Sequence, residues 1–167
     1  MQLATDRVVL RPLHKNDYTF ILELVNSDGW LRFIGNRHIY NEKDAKAYIQ
    51  KIINTNNLNY WVVHDTTQGM PLGIISFLKR DYLDHFDIGF AFLPQCKNKG
   101  YAFEATQAVL TAVTTDPQHA TVLATTLPDN TRSIRLLEKL GFQFRHDIQV
   151  NGQTMMVFAY NTLCTED

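Results

Sequence analysis

Apolar residues change their spacing several times along this chain, and each change marks an element. Val8-Val9-Leu10-Arg11-Pro12 is a short apolar run stopped by proline, which predicts a first strand. Asn16–Val25 follows with Phe20, Ile21, Leu24 and Val25 at helical spacing, so an amphipathic helix is expected there, ended by Asn26-Ser27-Asp28-Gly29. Trp30–Gly35 has no period and reads as an aromatic, irregular link. Lys43–Asn54 predicts a second helix that buries Ala45, Tyr48, Ile49, Ile52 and Ile53. Three strands are expected next, over Tyr60–His64, Leu72–Leu78 and Asp87–Leu93. Short polar turns separate them, which predicts antiparallel hairpins.

Beyond Pro94 the order alternates. Ala102–Val113 predicts a helix with Ala102, Thr106, Val109 and Val113 on one face, widened by Phe103 and Leu110. Thr121–Thr126 predicts a strand, and Thr131–Leu140 a helix with Ile134, Leu137 and Leu140 inward. Gly141 fits a left-handed helix stop, with Phe142 as its hydrophobic follower. Two last strands, Phe142–Ile148 and Thr154–Tyr160, flank Asn151-Gly152. An antiparallel half thus runs into a strand–helix–strand–helix–strand half. No repeat, low-complexity tract or linker divides them. The expectation is a single α/β (α+β) domain over residues 1–167, with one mixed sheet and helices on both faces.

Composition narrows the function. At 167 residues the chain buries roughly 70% of its unfolded surface and needs no metal or disulfide to hold it. Sixteen basic residues face seventeen acidic ones, for a formal net charge of −1, which leaves no global footprint for nucleic acid or an anionic membrane. The two cysteines, Cys96 and Cys164, form no Cys-x-x-Cys pair. The six histidines, His14, His38, His64, His85, His119 and His146, show no His-x-x-x-His spacing, so no metal is expected. The first residues lack the apolar core of a signal peptide, and no apolar run approaches the roughly 18 residues of a membrane helix. A cytoplasmic location is expected, and an oligomer is compatible with the sequence.

A cationic site must therefore be local. Lys97-Asn98-Lys99-Gly100-Tyr101-Ala102 stands at a predicted helix entrance, where unpaired N–H groups and the helix dipole favour an anion. Gly100 and Ala102 keep the backbone approach free of bulk, and Asn98 tolerates a left-handed conformation. The same residues also suit a plain strand-to-helix turn with solvated lysines. The stretch is neither a Walker loop nor the three-glycine dinucleotide fingerprint.

Four pieces in order carry a resemblance. They are the opening Leu3-x-Thr5-Asp6-Arg7-x-x-Leu10-Arg11-Pro12-Leu13, the strand residues Asp87-Ile88-Gly89-Phe90, the run Lys99-Gly100-Tyr101-Ala102-x-Glu104-Ala105, and Asn130-x-x-Ser133-x-x-x-Leu137-Glu138-Lys139-x-Gly141-Phe142. Together they resemble the GNAT superfamily of acetyl-CoA-dependent N-acetyltransferases, and more narrowly its RimJ/RimL-like branch, whose named members acetylate N-termini of ribosomal proteins. The resemblance implies a mostly antiparallel central sheet of about seven strands. It also implies acetyl transfer from acetyl-CoA to a primary amine, either a protein N-terminus or a small molecule. The phosphate-loop pattern falls on Lys97, Gly100 and Ala102. Lysine stands at Lys97 where the family has Gln or Arg, and Asn98 where the branch often has glycine. Lys97, Asn98, Lys99, Gly100, Tyr101 and Ala102 are thereby implied to hold the coenzyme A pyrophosphate. A non-catalytic coenzyme-A-binding sensor or scaffold is the alternative.

The resemblance also distributes the chemistry. The pantetheine arm is implied to pair with the Asp87–Leu93 strand, at Phe90, Ala91 and Phe92, where a backbone N–H faces the acetyl oxygen. Many relatives use a tyrosine to hold the departing thiolate. Here that position is Leu137, and Ser133 is the implied substitute. Asn130 either binds the cofactor arm or caps its helix. Asp87 leads as general base, with His85 or a water chain as alternatives, and an ion pair is the other reading of Asp87. Gly89 and Ala91 leave room beside it. Glu104 is either a base or a carboxylate that complements the helix N-terminus. The two early helices and Trp30-Leu31-Arg32-Phe33 are expected to line the acceptor pocket, core packing being the other reading of the aromatic link, with Arg11 and Arg32 available to a carboxylate.

Overall fold

A computed structural model describes residues 1–162; Cys164 lies outside the described residues. It contains eight strands and five α-helices. They run β1 (Leu3–Ala4), β2 (Val8–Pro12), α1 (Tyr18–Val25), α2 (Asp28–Phe33), α3 (Glu42–Ile53), β3 (Leu58–Asp65), β4 (Pro71–Leu78), β5 (Asp87–Phe92), α4 (Tyr101–Val113), β6 (Thr121–Thr126), α5 (Thr131–Lys139), β7 (Gln143–Val150) and β8 (Gln153–Asn161). All eight strands form one sheet in the order β1-β2-β3-β4-β5-β6-β8-β7. Every neighbouring pair is antiparallel except β5 and β6, which run parallel.

The strand beyond the expected seven is β1, two residues that pair Leu3 with Leu10 and Ala4 with Val9. So short a segment carries no alternation of its own. A second difference is α2, a helix where the sequence suggests an irregular link at Trp30–Gly35. Ser27 takes the extended N-cap conformation, Asp28 sits in the first turn, and Trp30 is buried inward. Six residues are too few to show a helical period.

The core follows the patterns. Phe20, Ile21, Leu24 and Val25 of α1 are all buried. In α3, Ala45, Ile49 and Ile52 are buried, whereas Ile53, expected inward, is exposed because it ends the helix. β4 is central, and Leu72 to Phe77 are buried without a break. A strand buried on consecutive residues is covered on both faces of its sheet. α3 packs on β3, α4 packs across β2, β4 and β5, and α5 packs on β6. The stop at Gly141 forms as expected: its φ is +96°, its N–H donates to the Glu138 carbonyl, and the Phe142 N–H donates to the Leu137 carbonyl. No described helix is long and apolar enough to cross a membrane.

Candidate active site

The parallel pair sets the position of the site. β5 and β6 share one register pair, Asp87 with Leu123, and the Leu123 N–H donates to the Phe86 carbonyl at 2.9 Å. Beyond that point they separate. On its other side β5 stays paired with β4 up to Phe92. Beyond Ile88, therefore, β5 has no register pair with β6 along Gly89, Phe90, Ala91 and Phe92. An extended arm with amide groups can add there as a strand does. Both strands lead through loops into helices, so α4 and α5 begin at the carboxyl end of the parallel pair, where open sheets bind ligands.

The loop into α4 turns on two left-handed residues, of which the sequence anticipates Asn98. Asn98 (φ +61°) and Gly100 (φ +80°) are both left-handed. Gly100 is the N-cap of α4 and offers no side-chain cap. The Glu104 N–H bonds to the Gly100 carbonyl, but the N–H groups of Tyr101, Ala102 and Phe103 have no partner among the described residues. Three free amides at the start of a thirteen-residue helix form a cradle for an anion. Lys97 and Lys99 are exposed beside it. A Cβ on Gly100 would stand 3.1 Å from Nη2 of Arg7. Only glycine combines this conformation with so close an approach.

Glu104 is a bonded carboxylate rather than a free one. It accepts hydrogen bonds from the Thr5 hydroxyl (2.5 Å), the Arg7 N–H (3.1 Å) and Arg7 Nε (2.6 Å). Burial pushes its carboxyl up, but the bonds from Thr5 and Arg7 outweigh that and hold it below the ordinary glutamate value. Cys96 is buried, and burial pushes its thiol up, as for an unreactive small hydrophobe.

At the start of α5, Asn130 accepts the Ser133 N–H on Oδ1 at 3.2 Å, so it caps the helix. The half-buried Ser133 hydroxyl has no hydrogen-bond partner among the described residues. Leu137 is 1% exposed, packed in the core and unable to donate.

Asp87 stands at the apex where β5 and β6 part. It is buried and ion-paired, with both carboxylate oxygens facing Arg80 Nε at 3.0 and 3.2 Å. Burial raises its carboxyl above the usual aspartate value, and Arg80 only partly offsets that. Part of the room expected beside Gly89 is filled: a Cβ there would stand 2.7 Å from the Ser76 hydroxyl. Tyr60 lies opposite Ser76, and Ser76 opposite Gly89, across β3, β4 and β5. Burial pushes the Tyr60 hydroxyl up, and Tyr48 lies close enough to add to the shift. Tyr60, Ser76, Arg80 and Asp87 thus form a polar wall behind the apex. His85 is exposed in the turn.

The two arginines expected to be available to an acceptor are engaged. Arg11 holds Asp17 at 2.6 and 2.9 Å. Arg32 pairs with Asp129 at 3.7 Å and lies over the Phe33 ring. That second pair places α2 beside the loop that precedes Asn130. Arg80 has no sign in the sequence beyond a cation in a hairpin turn. Arg7 stands within the opening motif, and the motif alone assigns it no role.

Comparison with known proteins agrees with this geometry. Residues 7–143 match the family described as the acetyltransferase (GNAT) domain. The chain is 29% identical over 143 residues to the uncharacterized N-acetyltransferase YnaD of Bacillus subtilis, spanning 86% of this chain and 83% of that protein. A GNAT-family acetyltransferase from Bacillus anthracis superimposes with a TM-score of 0.81 at 24% identity, over 97% of this chain and 99% of its own. A spermidine N-acetyltransferase from Vibrio cholerae, solved with CoA and spermine, gives a TM-score of 0.79 at 19% identity, over 95% and 97% of the two chains. A parallel pair that parts beside an uncapped helix, on a chain matched by this family over most of its length, has one reading: the protein belongs to the GNAT acetyltransferase family, enzymes that move an acetyl group from acetyl-CoA to an amine.

Proposed function

We propose that residues 1–167 act as one acetyltransferase domain on a primary amine, a protein N-terminal α-amine or a small amine, in a ternary complex with acetyl-CoA. The observation that carries this is the separation of β5 from β6 directly above Asp87, with the uncapped start of α4 at its open end. The cradle of Asn98 to Ala102, with Lys97 and Lys99 beside it, suits the pyrophosphate. The free edge at Phe90, Ala91 and Phe92 suits the pantetheine arm, and a backbone N–H of that edge suits the acetyl oxygen as charge develops on it. The RimJ/RimL-like branch, which rests on the sequence motifs, and a cytoplasmic location belong to the same proposal.

Acetyl-CoA supplies an activated acyl carbon; the chain supplies alignment and proton handling. The amine must attack unprotonated, and amines carry pKa values from about 8 to 10.4. Asp87 takes the proton, directly or through a water, and its raised carboxyl pKa makes it a better acceptor than an ordinary aspartate. As the new C–N bond forms and the C–S bond breaks, sulfur leaves as a thiolate. The Ser133 hydroxyl, free of local bonds, stabilises it by donating a hydrogen bond. Holding both reactants in line supplies a large further share of the rate.

The experiment is a screen for thiol release from acetyl-CoA across N-terminal Ala and Ser peptides, polyamines, amino sugars and amino acids. Release with one amine class identifies the acceptor. Tight CoA binding with no release from any amine favours the sensor or scaffold reading instead, in keeping with leucine at position 137.

A further inference from the structure

The anion cradle is not self-supporting. Both left-handed residues stand in one exposed loop, 97–100, and a loop of that kind needs an outside anchor to keep one shape. Arg7, in the turn between β1 and β2, provides it. Nη1 donates to the Lys99 carbonyl at 2.8 Å across 92 residues of sequence. Nε donates to Glu104 at 2.6 Å, and the guanidinium lies 4.8 Å from the centre of the Tyr101 ring. Lys99, Tyr101 and Glu104 bracket Gly100, so one side chain grips the loop before and after its left-handed glycine. Thr5 and the Arg7 N–H complete the grip on Glu104.

One edge of the guanidinium is left over. Nη2 has no hydrogen-bond partner among the described residues, and it lies 3.1 Å from the Cβ position of Gly100. A groove of about 410 Å³ opens there, with Arg7, Gly100, Phe103 and Lys139 among its walls. A phosphate resting on the Tyr101 to Phe103 amides would thus meet this free charged donor at the same Gly100 entrance to α4.

We propose that Arg7 is a cofactor-binding and loop-positioning residue: it locks the loop in its anion-binding shape and offers Nη2 to a phosphate of coenzyme A. The assignment rests on the acetyl-CoA reading above. It also accounts for an otherwise weak loop, in which position 97 is an exposed lysine rather than a residue with a guanidinium fork. Arginine presents a rigid fork that a lysine cannot imitate.

The test uses the full chain and CoA itself. Calorimetric Kd values are measured for the wild type, Arg7→Ala and Arg7→Lys over a range of salt concentrations, alongside each variant's melting temperature. Arg7→Ala removes a hydrogen bond to a charged group and is expected to weaken CoA binding by roughly 10- to 100-fold. Its log Kd should also depend less steeply on log salt, because one cation has left the phosphate. Arg7→Lys should recover part of the affinity and most of the salt slope. A purely structural role predicts a lower melting temperature with an unchanged slope, and that result overturns the proposal. So does wild-type affinity in Arg7→Ala. If Arg7→Ala does not fold, Arg7→Lys decides: CoA affinity equal to wild type overturns the proposal, and a several-fold loss with unchanged melting supports it. Wild-type protein that fails to bind CoA removes the acetyl-CoA reading together with this one, whereas wild-type binding with no Arg7 effect removes this one alone.

Discussion

α4 and α5 follow the two strands of the parallel pair and begin in opposite ways. α4 opens on Gly100, with no side chain to cap it and three amides unpartnered among the described residues. α5 opens on Asn130, whose amide oxygen takes the Ser133 N–H. The same topological place thus serves two ends. Where the backbone is left unsatisfied, an anion can complete it. Where the backbone is already capped, what remains for a ligand is a side chain, the Ser133 hydroxyl. The comparison therefore predicts that damage at α4 appears as lost affinity, and damage at α5 as lost turnover or lost stability.

The sharpest way to break the contrast is Gly100→Val. A β-branched residue at φ +80° is strained, and its Cβ meets Arg7 at 3.1 Å. Loss of CoA affinity on the order of 100-fold, or about 2.7 kcal/mol, is expected by calorimetry. Wild-type affinity would show that the cradle is not where the phosphates rest. Ser133→Ala comes next. With one neutral hydrogen bond removed from the leaving sulfur, kcat should fall about 3- to 10-fold while Kd for CoA holds. Steady-state kinetics with any accepted amine decides this, and unaltered kcat removes Ser133 from the chemistry.

Legibility in the sequence followed the range of the interactions. The α1 face, the Gly141 stop and the left-handed Asn98 are local, so a few neighbouring residues specify them. The α2 helix is local too, but too short to show a period. The Arg7 grip on Lys99 and Glu104 joins residues more than ninety positions apart, and no spacing rule exposes it. The Arg80–Asp87 pair is hidden differently. Its partners are seven positions apart across a hairpin turn, and both carry charges that by composition alone belong on a surface. For residues proposed to act through backbone, such as Phe90 to Phe92, only the family pattern points to a role, because an amide edge leaves no side-chain signature.

Asn130→Ala tests the capped side of the contrast at lower amplitude. Loss of an N-cap is expected to destabilise the protein by about 1 kcal/mol in urea or thermal unfolding. CoA affinity should change little if Asn130 serves the helix. A CoA affinity loss larger than the stability loss would instead make Asn130 a cofactor ligand, and the two helix starts would then resemble each other.

The smallest effect isolates the carboxylate that holds the α4 side together. The folded carboxyl of Glu104 lies below its ordinary value, so its bonds to Thr5 and Arg7 stabilise the native state fully above the unfolded value of about 4.5 and are lost as the pH falls through the lower folded value. Arg7 is half-exposed, so the ion-pair part is worth only a few tenths of a kcal/mol. Glu104→Gln should therefore be slightly less stable than wild type at pH 7, and the gap should close as the pH drops into the acid range. Urea melts of both proteins at matched pH values measure it. A gap that stays constant with pH would mean that shape rather than charge holds Glu104 in place. The loop would then owe its left-handed form to Arg7 and the Lys99 carbonyl alone.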